Sequence, residues 1–119
     1  MKKISYIGLG LLIATGLTSA QSVTQVGIVY NTSNKMDRSF NQRAFEGIQR
    51  AVKDFGISIK EYEPADPSQL EVGVNEMGKA GMELTVAVGF NAESAISKIA
   101  AKYPEQKFAL LDAIPKGDN

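Results

Sequence analysis

The stretch Val26–Phe55 constrains the fold of this chain most, because it joins a strand pattern directly to a strongly marked helix. The short apolar run Val26–Tyr30 predicts a strand buried in a sheet. A polar loop, residues 31–38, follows this strand. Ser39 and Gln42 then have the S-x-x-Q spacing of a capping box, in which two side chains satisfy free backbone N–H groups at a helix start. A strand that leads through a polar loop into a helix is where α/β folds commonly bind ligands.

The predicted first helix has one apolar face and ends at a glycine. Gly56 predicts a left-handed C-terminal cap. Gly47 lies in the middle of the helix, where glycine costs about 1 kcal/mol relative to alanine, so we expect another element to pack closely against it. The apolar face consists of residues at helical spacing, namely Ala44, Phe45, Ile48, Ala51, Val52 and Phe55.

An edge strand and a second helix are predicted next. Ile57–Tyr62 alternates apolar and polar residues, as a half-exposed strand does. Asp66 as N-cap and Pro67 at the first helical position mark the start of the helix, and Gly81 marks its end. The buried stripe of this helix is formed by Leu70, Val74 and Met77.

The remaining sequence predicts two more strands around a third helix. Leu84–Gly89 has almost no polar interruption, which is typical of a parallel strand covered on both faces. Asn91 is the predicted N-cap of the third helix. Phe108–Leu111 is the fourth strand and delivers Asp112 at its carboxyl end. The inward positions of the third helix are Ala92, Ala95, Ile96, Ile99 and Ala100.

The element order βαβαβαβ predicts an α/β fold with three αβα layers, a parallel sheet and right-handed crossovers. The strand order 2-1-3-4 places the amphipathic second strand at an edge and the apolar third strand inside. The chain then reverses direction between the first and third strands. Open α/β sheets bind ligands at such a point, so loops 31–39 and 89–91 should flank the binding crevice.

The first twenty residues have the pattern of a secretory signal peptide. Lys2 and Lys3 precede an apolar run, Ile4–Leu17, and the small residues of Thr18–Ala20 follow it. The alternative is an uncleaved membrane anchor, but the run is shorter than the roughly 20 apolar residues that a span needs. We therefore expect residues 1–20 to be removed and residues 21–119 to work in the periplasm or outside the cell.

Composition excludes several classes of function. The chain has 13 basic and 13 acidic residues, and loss of Lys2 and Lys3 would leave a net charge of about −2, which disfavours nucleic acid and anionic membranes as partners. There is no histidine, the commonest general base and zinc ligand. There is no cysteine, so we expect neither a disulfide nor a thiol-linked lipid anchor. No phosphate-binding glycine motif occurs, and no cofactor is predicted.

The predicted carboxyl ends of the strands present aromatic, amide and carboxylate side chains suited to recognition. They offer no pair of nucleophile and base, which favours a binding module over an enzyme. Alternatives remain at this point: Asp37 and Asp112 could share acid–base chemistry or a cation, and Phe40 or Phe90 could pack into the core. The candidate ligand-binding residues are Asn31, Asp37, Phe40, Asn41, Phe90 and Asp112.

Several motifs resemble the basic membrane protein family, the substrate-binding components of ABC importers. The resemblance runs from about Val26 to Asp112. The motifs are Asp37-Arg38-Ser39-Phe40-Asn41-Gln42, Glu46-Gly47, Val88-Gly89-Phe90, Tyr103-Pro104 and Lys107–Asp112.

This resemblance implies a type 1 periplasmic-binding-protein fold, purine nucleosides as ligands and an ABC permease as partner. It implies that Phe40 stacks on the base and that Asp112 hydrogen-bonds the ligand. The family commonly has an acidic residue at the position of Asn31, where it contacts the ribose hydroxyls. It often has two glycines where this chain has Ser33 and Asn34, and many members carry a lipid-anchoring cysteine.

The resemblance also implies that residues 21–119 are only the first part of a two-lobed receptor, not competent alone. Three other interpretations stay open. The chain could be a small exported α/β enzyme that uses Asp37 and Asp112, or a binding protein for another small ligand such as a sugar. A flavodoxin-like receiver domain has similar length, but its clustered acids after the first strand are absent here, where Tyr30 and Asn31 follow.

Overall fold

The computed structural model describes residues 22–117, so the predicted signal peptide, residues 1–20, lies outside the described part. Four parallel strands form one sheet in the order β2-β1-β3-β4, which confirms the predicted α/β architecture and strand order. Boundaries differ from the predicted ones by a few residues at most. The elements are β1 (Gln25–Val29), α1 (Phe40–Phe55), β2 (Ser58–Tyr62), α2 (Gln69–Lys79), β3 (Leu84–Val88), α3 (Glu93–Ala100) and β4 (Lys107–Leu111), with a 3-10 turn at Phe90–Ala92.

The two faces of the sheet are covered unequally. Successive strand residues point to opposite faces, so Val29 and Ala87 lie on one side, and Ile28 and Val88 on the other. Helices α2 and α3 pack together over the first side and enclose the main core. All predicted inward positions of α2 and α3 are buried there. The third strand is thus fully covered on this side only.

Glycines let α2 approach the sheet closely. A Cβ at Gly73 would lie 2.5 Å from Cδ1 of Tyr62, and one at Gly27 of β1 would lie 2.7 Å from Sδ of Met77. Such separations are shorter than real Cβ contacts, so a larger side chain would force the neighbouring side chain or the helix to shift. The helical glycine Gly73, which looks unfavourable by propensity, is therefore required by packing.

Helix α1 covers the other side thinly. Its residues Ala44, Phe45 and Ile48 are partly buried against Ile28, Tyr30 and Val88. Phe55, predicted to face the core, is 79% exposed, so that prediction is wrong. Phe55 lies in the last turn of α1, and Gly56 ends the helix there in the predicted left-handed conformation, with φ of 64°.

Gly47 differs from the prediction too. No atom of the described structure, apart from the chain neighbours and the backbone of its own helix, lies within 4 Å of a Cβ built there. The expected close neighbour is thus absent within residues 22–117.

The start of α2 shows a shifted capping arrangement. Asp66 accepts a hydrogen bond from the backbone N–H of Ser68 at 2.8 Å, and the Gln69 side chain accepts one from the N–H of Ala65 at 3.0 Å. Asp66 and Pro67 thus form a turn ahead of the helix, which begins at Gln69. None of the helices in residues 22–117 is long and apolar enough to span a membrane.

Candidate functional site

The loops that follow β1 and β3 meet at the carboxyl edge of the sheet, at the reversal point that the strand order creates. Asn31 is the residue where they touch. Its Oδ1 accepts a hydrogen bond from Nδ2 of Asn91 at 3.4 Å, and a Cβ at Gly89 would lie 2.5 Å from its Nδ2. Gly89 has φ of 89°, a conformation that favours glycine. The two loops predicted to flank the crevice are therefore in direct contact.

Asn91 does not cap the third helix, so that prediction is wrong. The 3-10 turn intervenes, α3 begins at Glu93, and no side chain caps its start. The amide of Asn91 faces Asn31 instead. The polar side chain of Asn91 thus hydrogen-bonds the loop after β1 and not the start of α3, as the sequence pattern had predicted.

Asn41 is fully buried and holds the loop after β1. Its Oδ1 accepts the backbone N–H of Asn31 at 2.8 Å, and its Nδ2 donates to the carbonyls of Asn31 at 3.1 Å and Ser33 at 3.3 Å. These bonds satisfy backbone groups that a loop would otherwise leave open. In this structure Asn41 acts on the site by fixing the loop, and its direct contact with a ligand stays a prediction.

Asp37, not Ser39, caps α1, so the predicted capping box is wrong. The Ser39 side chain makes no cap bond. Asp37 Oδ1 accepts the N–H groups of Ser39 at 2.8 Å and Gln42 at 3.1 Å, and Oδ2 accepts that of Asn41 at 3.3 Å. Desolvation raises the pKa of Asp37, but these backbone donors outweigh it and hold the pKa below its ordinary 3.8. The Asp37 carboxylate therefore stays ionised and accepts hydrogen bonds from the start of α1.

Two aromatic side chains are exposed to solvent at this edge. Phe40, the first residue of α1, is 47% exposed, and Phe90, directly after Gly89, is 63% exposed. The interpretation that either ring packs into the core is therefore wrong. Exposed aromatic rings beside polar groups are what a planar ligand requires for stacking.

Asp112 lies at the same edge because β4 ends beside β3. The N–H of Gly89 donates to the carbonyl of Leu111 at 3.0 Å, which brings Phe90 and Asp112 to the same edge. Asp112 is exposed and has φ of 75°, which is uncommon for a residue with a side chain. No residue of the described part hydrogen-bonds or ion-pairs with its carboxylate, which leaves it available to a ligand.

Sequence reasoning missed a polar network that ties the loop to β2. The hydroxyl of Tyr30 donates to Glu61 at 2.7 Å, and Nζ of Lys35 donates to the same carboxylate at 2.7 Å. Lys35 also lies 5.1 Å from the centre of the Phe45 ring. Burial and the bond to Glu61 raise the pKa of Tyr30 far above its usual value. The network depends on the register of β1 and β2, which no local motif in the sequence reports.

Glu61 stays ionised within this network. Burial raises its pKa, but the hydrogen bonds from Lys35 and Tyr30 outweigh this and lower the pKa overall. Within residues 22–117, no group of three or more carboxylates is placed to hold a metal ion. The described side chains at this edge include amides, carboxylates and aromatic rings.

Comparison with known proteins decides the family. A family model described as "ABC transporter substrate-binding protein PnrA-like" matches residues 23–119. This chain belongs to that family. The resemblance to basic membrane proteins inferred from the motifs is thereby confirmed.

Individual relatives agree with the family. An uncharacterized lipoprotein of Pyrococcus abyssi is 34% identical over 97 residues, covering 81% of this chain and 24% of that protein. The ABC transporter nucleoside-binding protein BmpA of Lactococcus lactis is 28% identical over 96 residues, covering 77% of this chain and 27% of that protein. A crystal structure of an ABC transporter solute-binding protein from Aeropyrum pernix has a TM-score of 0.72 at 30% identity, covering 79% of this chain and 26% of that one. The chain thus spans about a quarter of the length of these relatives.

Proposed function

We infer that this chain is the first part of the binding lobe of an ABC-importer receptor for purine nucleosides. The observation that carries this inference is that two exposed rings, Phe40 and Phe90, and the open carboxylate of Asp112 all belong to the carboxyl edge of the sheet. A purine offers flat faces for such rings, and ribose offers hydroxyls for amides and carboxylates. The Lactococcus lactis relative, named as nucleoside-binding, supports the same ligand class.

The proposed roles combine the resemblance to the family with the positions of these residues. Phe40 stacks on the base, Asp112 accepts ligand hydrogen bonds, and Asn31 presents an amide where the two loops meet. Asp37 and Asn41 hold the loop and the start of α1 in place. As a receptor, the chain acts outside the cytoplasm and delivers its ligand to a membrane permease. The family is one of substrate-binding proteins, and engagement of Asp37 by three backbone N–H groups argues against its use as a catalytic base.

The test is a titration of ¹⁵N-labelled residues 21–119 with inosine, adenosine or guanosine, followed by NMR. We expect shifts confined to the crevice, around Asn31, Phe40, Phe90 and Asp112. Stacking contributes about 1–3 kcal/mol per base, so Phe40→Ala should weaken binding by about fivefold to a hundredfold.

Phe55→Ala is the matched control, because Phe55 is an exposed ring at the other end of the same helix. It should leave the titration unchanged. Shifts with ribose or amino acids but not with nucleosides would show that the ligand class is wrong. Equal responses of wild type and Phe40→Ala would remove Phe40 from the site.

A further inference from the structure

The side-chain amide of Asn31, in the loop that follows β1, has an oxygen that the protein itself already occupies. Oδ1 of Asn31 accepts a hydrogen bond from the backbone N–H of Thr32 at 2.8 Å. The same oxygen accepts two longer hydrogen bonds, each of 3.4 Å, from the Thr32 hydroxyl and from Nδ2 of Asn91. A carboxamide oxygen has two lone pairs. The protein's own donors therefore use the acceptor capacity of this side chain.

The nitrogen of the same amide is left unused. Nδ2 of Asn31 makes no hydrogen bond within residues 22–117, and it is not one of the buried unpaired atoms of that part, so solvent reaches it. It lies over Gly89, where a Cβ would come within 2.5 Å of it. Gly89 directly follows β3, so Nδ2 lies at the carboxyl edge of the sheet, where open α/β sheets bind ligands.

The orientation of the Asn31 amide is fixed by a partner that can only donate. A backbone N–H has no lone pair, so the N–H of Thr32 must face the oxygen of Asn31 and not its nitrogen. If the amide were turned over, two N–H donors would face each other. The chain thus presents a hydrogen-bond donor at the point where the loops after β1 and β3 meet.

We propose that Asn31 makes the crevice select for a ligand oxygen that accepts a hydrogen bond, so that purine nucleosides with an O-methylated ribose bind as well as unmodified ones. This inference rests on the proposed nucleoside function. A ribose hydroxyl can donate and accept, whereas the ether oxygen of an O-methyl group can only accept. Nδ2 of Asn31 donates to either oxygen. A carboxylate at this position would instead require the free hydroxyl, because it can only accept.

The test is a set of NMR titrations of residues 21–119 with inosine, with its 2′-O-methyl and 3′-O-methyl derivatives, and with 2′-deoxyinosine and 3′-deoxyinosine. At one of the two ribose positions, the wild type should bind the O-methyl derivative within about twofold of inosine. It should bind the deoxynucleoside of that position roughly threefold to tenfold more weakly, the factor that one lost hydrogen bond gives.

Asn31→Asp should change this ranking, because the substitution replaces the donor by an acceptor of nearly the same shape. The variant should bind the O-methyl derivative as weakly as the deoxynucleoside, roughly threefold to tenfold below inosine. An ether oxygen and a carboxylate oxygen are both acceptors and form no hydrogen bond with each other.

Asn34→Asp is the matched control, because it adds the same charge to the same loop. Oδ1 of Asn34 accepts the backbone N–H of Met36 at 2.8 Å, a hydrogen bond that an aspartate can also make. This variant should rank the five nucleosides as the wild type does. If the O-methyl derivatives of both positions bind the wild type as weakly as the deoxynucleosides, the inference is wrong. The wild-type ranking in Asn31→Asp would overturn it too.

Failure of the proposed function would give a different result. If inosine causes no shifts at the crevice of the wild type, the nucleoside assignment is wrong, and this inference fails with it. If inosine binds and only the ranking differs from the expected one, this inference alone is wrong.

A measurement without ligand checks the amide itself. The Nδ2 hydrogens of Asn31 should give their strongest nuclear Overhauser effects to the Hα atoms of Gly89, over which Nδ2 lies. Strongest effects to the backbone amide hydrogen of Thr32 would show that the amide has the opposite orientation. Asn31 would then present an acceptor to the crevice, and the inference would be overturned.

Discussion

At the residue scale, a single carboxylate organises the loop from which the site is built. The Asp37 carboxylate accepts hydrogen bonds from three backbone N–H groups at the start of α1. The side chain of Ser39, which the sequence pattern favoured as the cap, accepts none. Arg38, between these two residues, has φ of 56°, which places the chain in the left-handed region two residues before the helix begins at Phe40. The aspartate satisfies more donors than the serine could, because it has two acceptor oxygens.

Asp37→Ala should therefore lower the melting temperature by about 4–8 °C, the range typical of a lost N-cap in a domain of this size. Ser39→Ala, two residues away, should change the melting temperature little and serves as the control.

Because the folded-state pKa of Asp37 is depressed, its contribution to stability is fully present above the ordinary value of 3.8. This contribution disappears as the pH falls through the lower folded value. Thermal melts from pH 7 to pH 2 measure this, and equal losses for the two variants would contradict the assignment.

At the element scale, the helical glycines on the two sides of the sheet have opposite packing environments. Gly73 of α2 lies against the ring of Tyr62, whereas a Cβ built at Gly47 of α1 would meet no atom of residues 22–117 within 4 Å beyond its chain neighbours and its own helix backbone. Helix propensity treats the two positions alike. Packing distinguishes the two positions. At Gly73, α2 lies close against Tyr62, whereas α1 has no such close neighbour at Gly47 among the described residues.

Gly47→Ala should stabilise residues 21–119 by about 1 kcal/mol through helix propensity. Gly73→Ala should destabilise them by about 1–3 kcal/mol despite the same gain, because its Cβ overpacks against Tyr62. Urea unfolding monitored by circular dichroism measures both. Combining Gly73→Ala with Tyr62→Leu should recover part of the loss. Stabilisation by both alanines would mean that α2 moves freely and that its contact with Tyr62 is not tight.

At the scale of the whole molecule, the described residues present one wall of the proposed binding crevice. The rings and the Asp112 carboxylate line one edge of the sheet, and the relatives are about four times as long as the matched segment. A nucleoside on this edge would have most of its surface in water, whereas small-molecule sites usually bury most of the ligand.

We therefore expect residues 21–119 alone to bind inosine, adenosine and guanosine no more tightly than about millimolar, a dissociation constant that corresponds to roughly −4 kcal/mol. Isothermal titration calorimetry with light scattering alongside measures this. Phe40→Ala gives the background signal. Micromolar binding by a monodisperse monomer would mean that this segment is a functional unit in its own right.

The sequence by itself determined the element order, the strand order and the edge of the sheet that carries the candidate residues. Those features follow from local periodicity in Val26–Tyr30 and Leu84–Gly89 together with the topological rules for parallel sheets. It also determined the family, through motifs around Phe40 and Asp112. Patterns of this kind need no knowledge of which residues touch across the fold.

Only the tertiary structure decided which polar side chains hydrogen-bond to one another and to the backbone. Ser39, Asn91 and Gly47 all fit a local rule, yet Asp37 caps α1 and Asn91 bonds Asn31 of the neighbouring loop. Among the described residues, none packs closely beside Gly47. A cap or a close contact depends on distances between residues far apart in the chain. The Tyr30–Glu61–Lys35 network depends on strand register in the same way. Hydrogen-bond partners are set by three-dimensional proximity, which local sequence preference cannot encode.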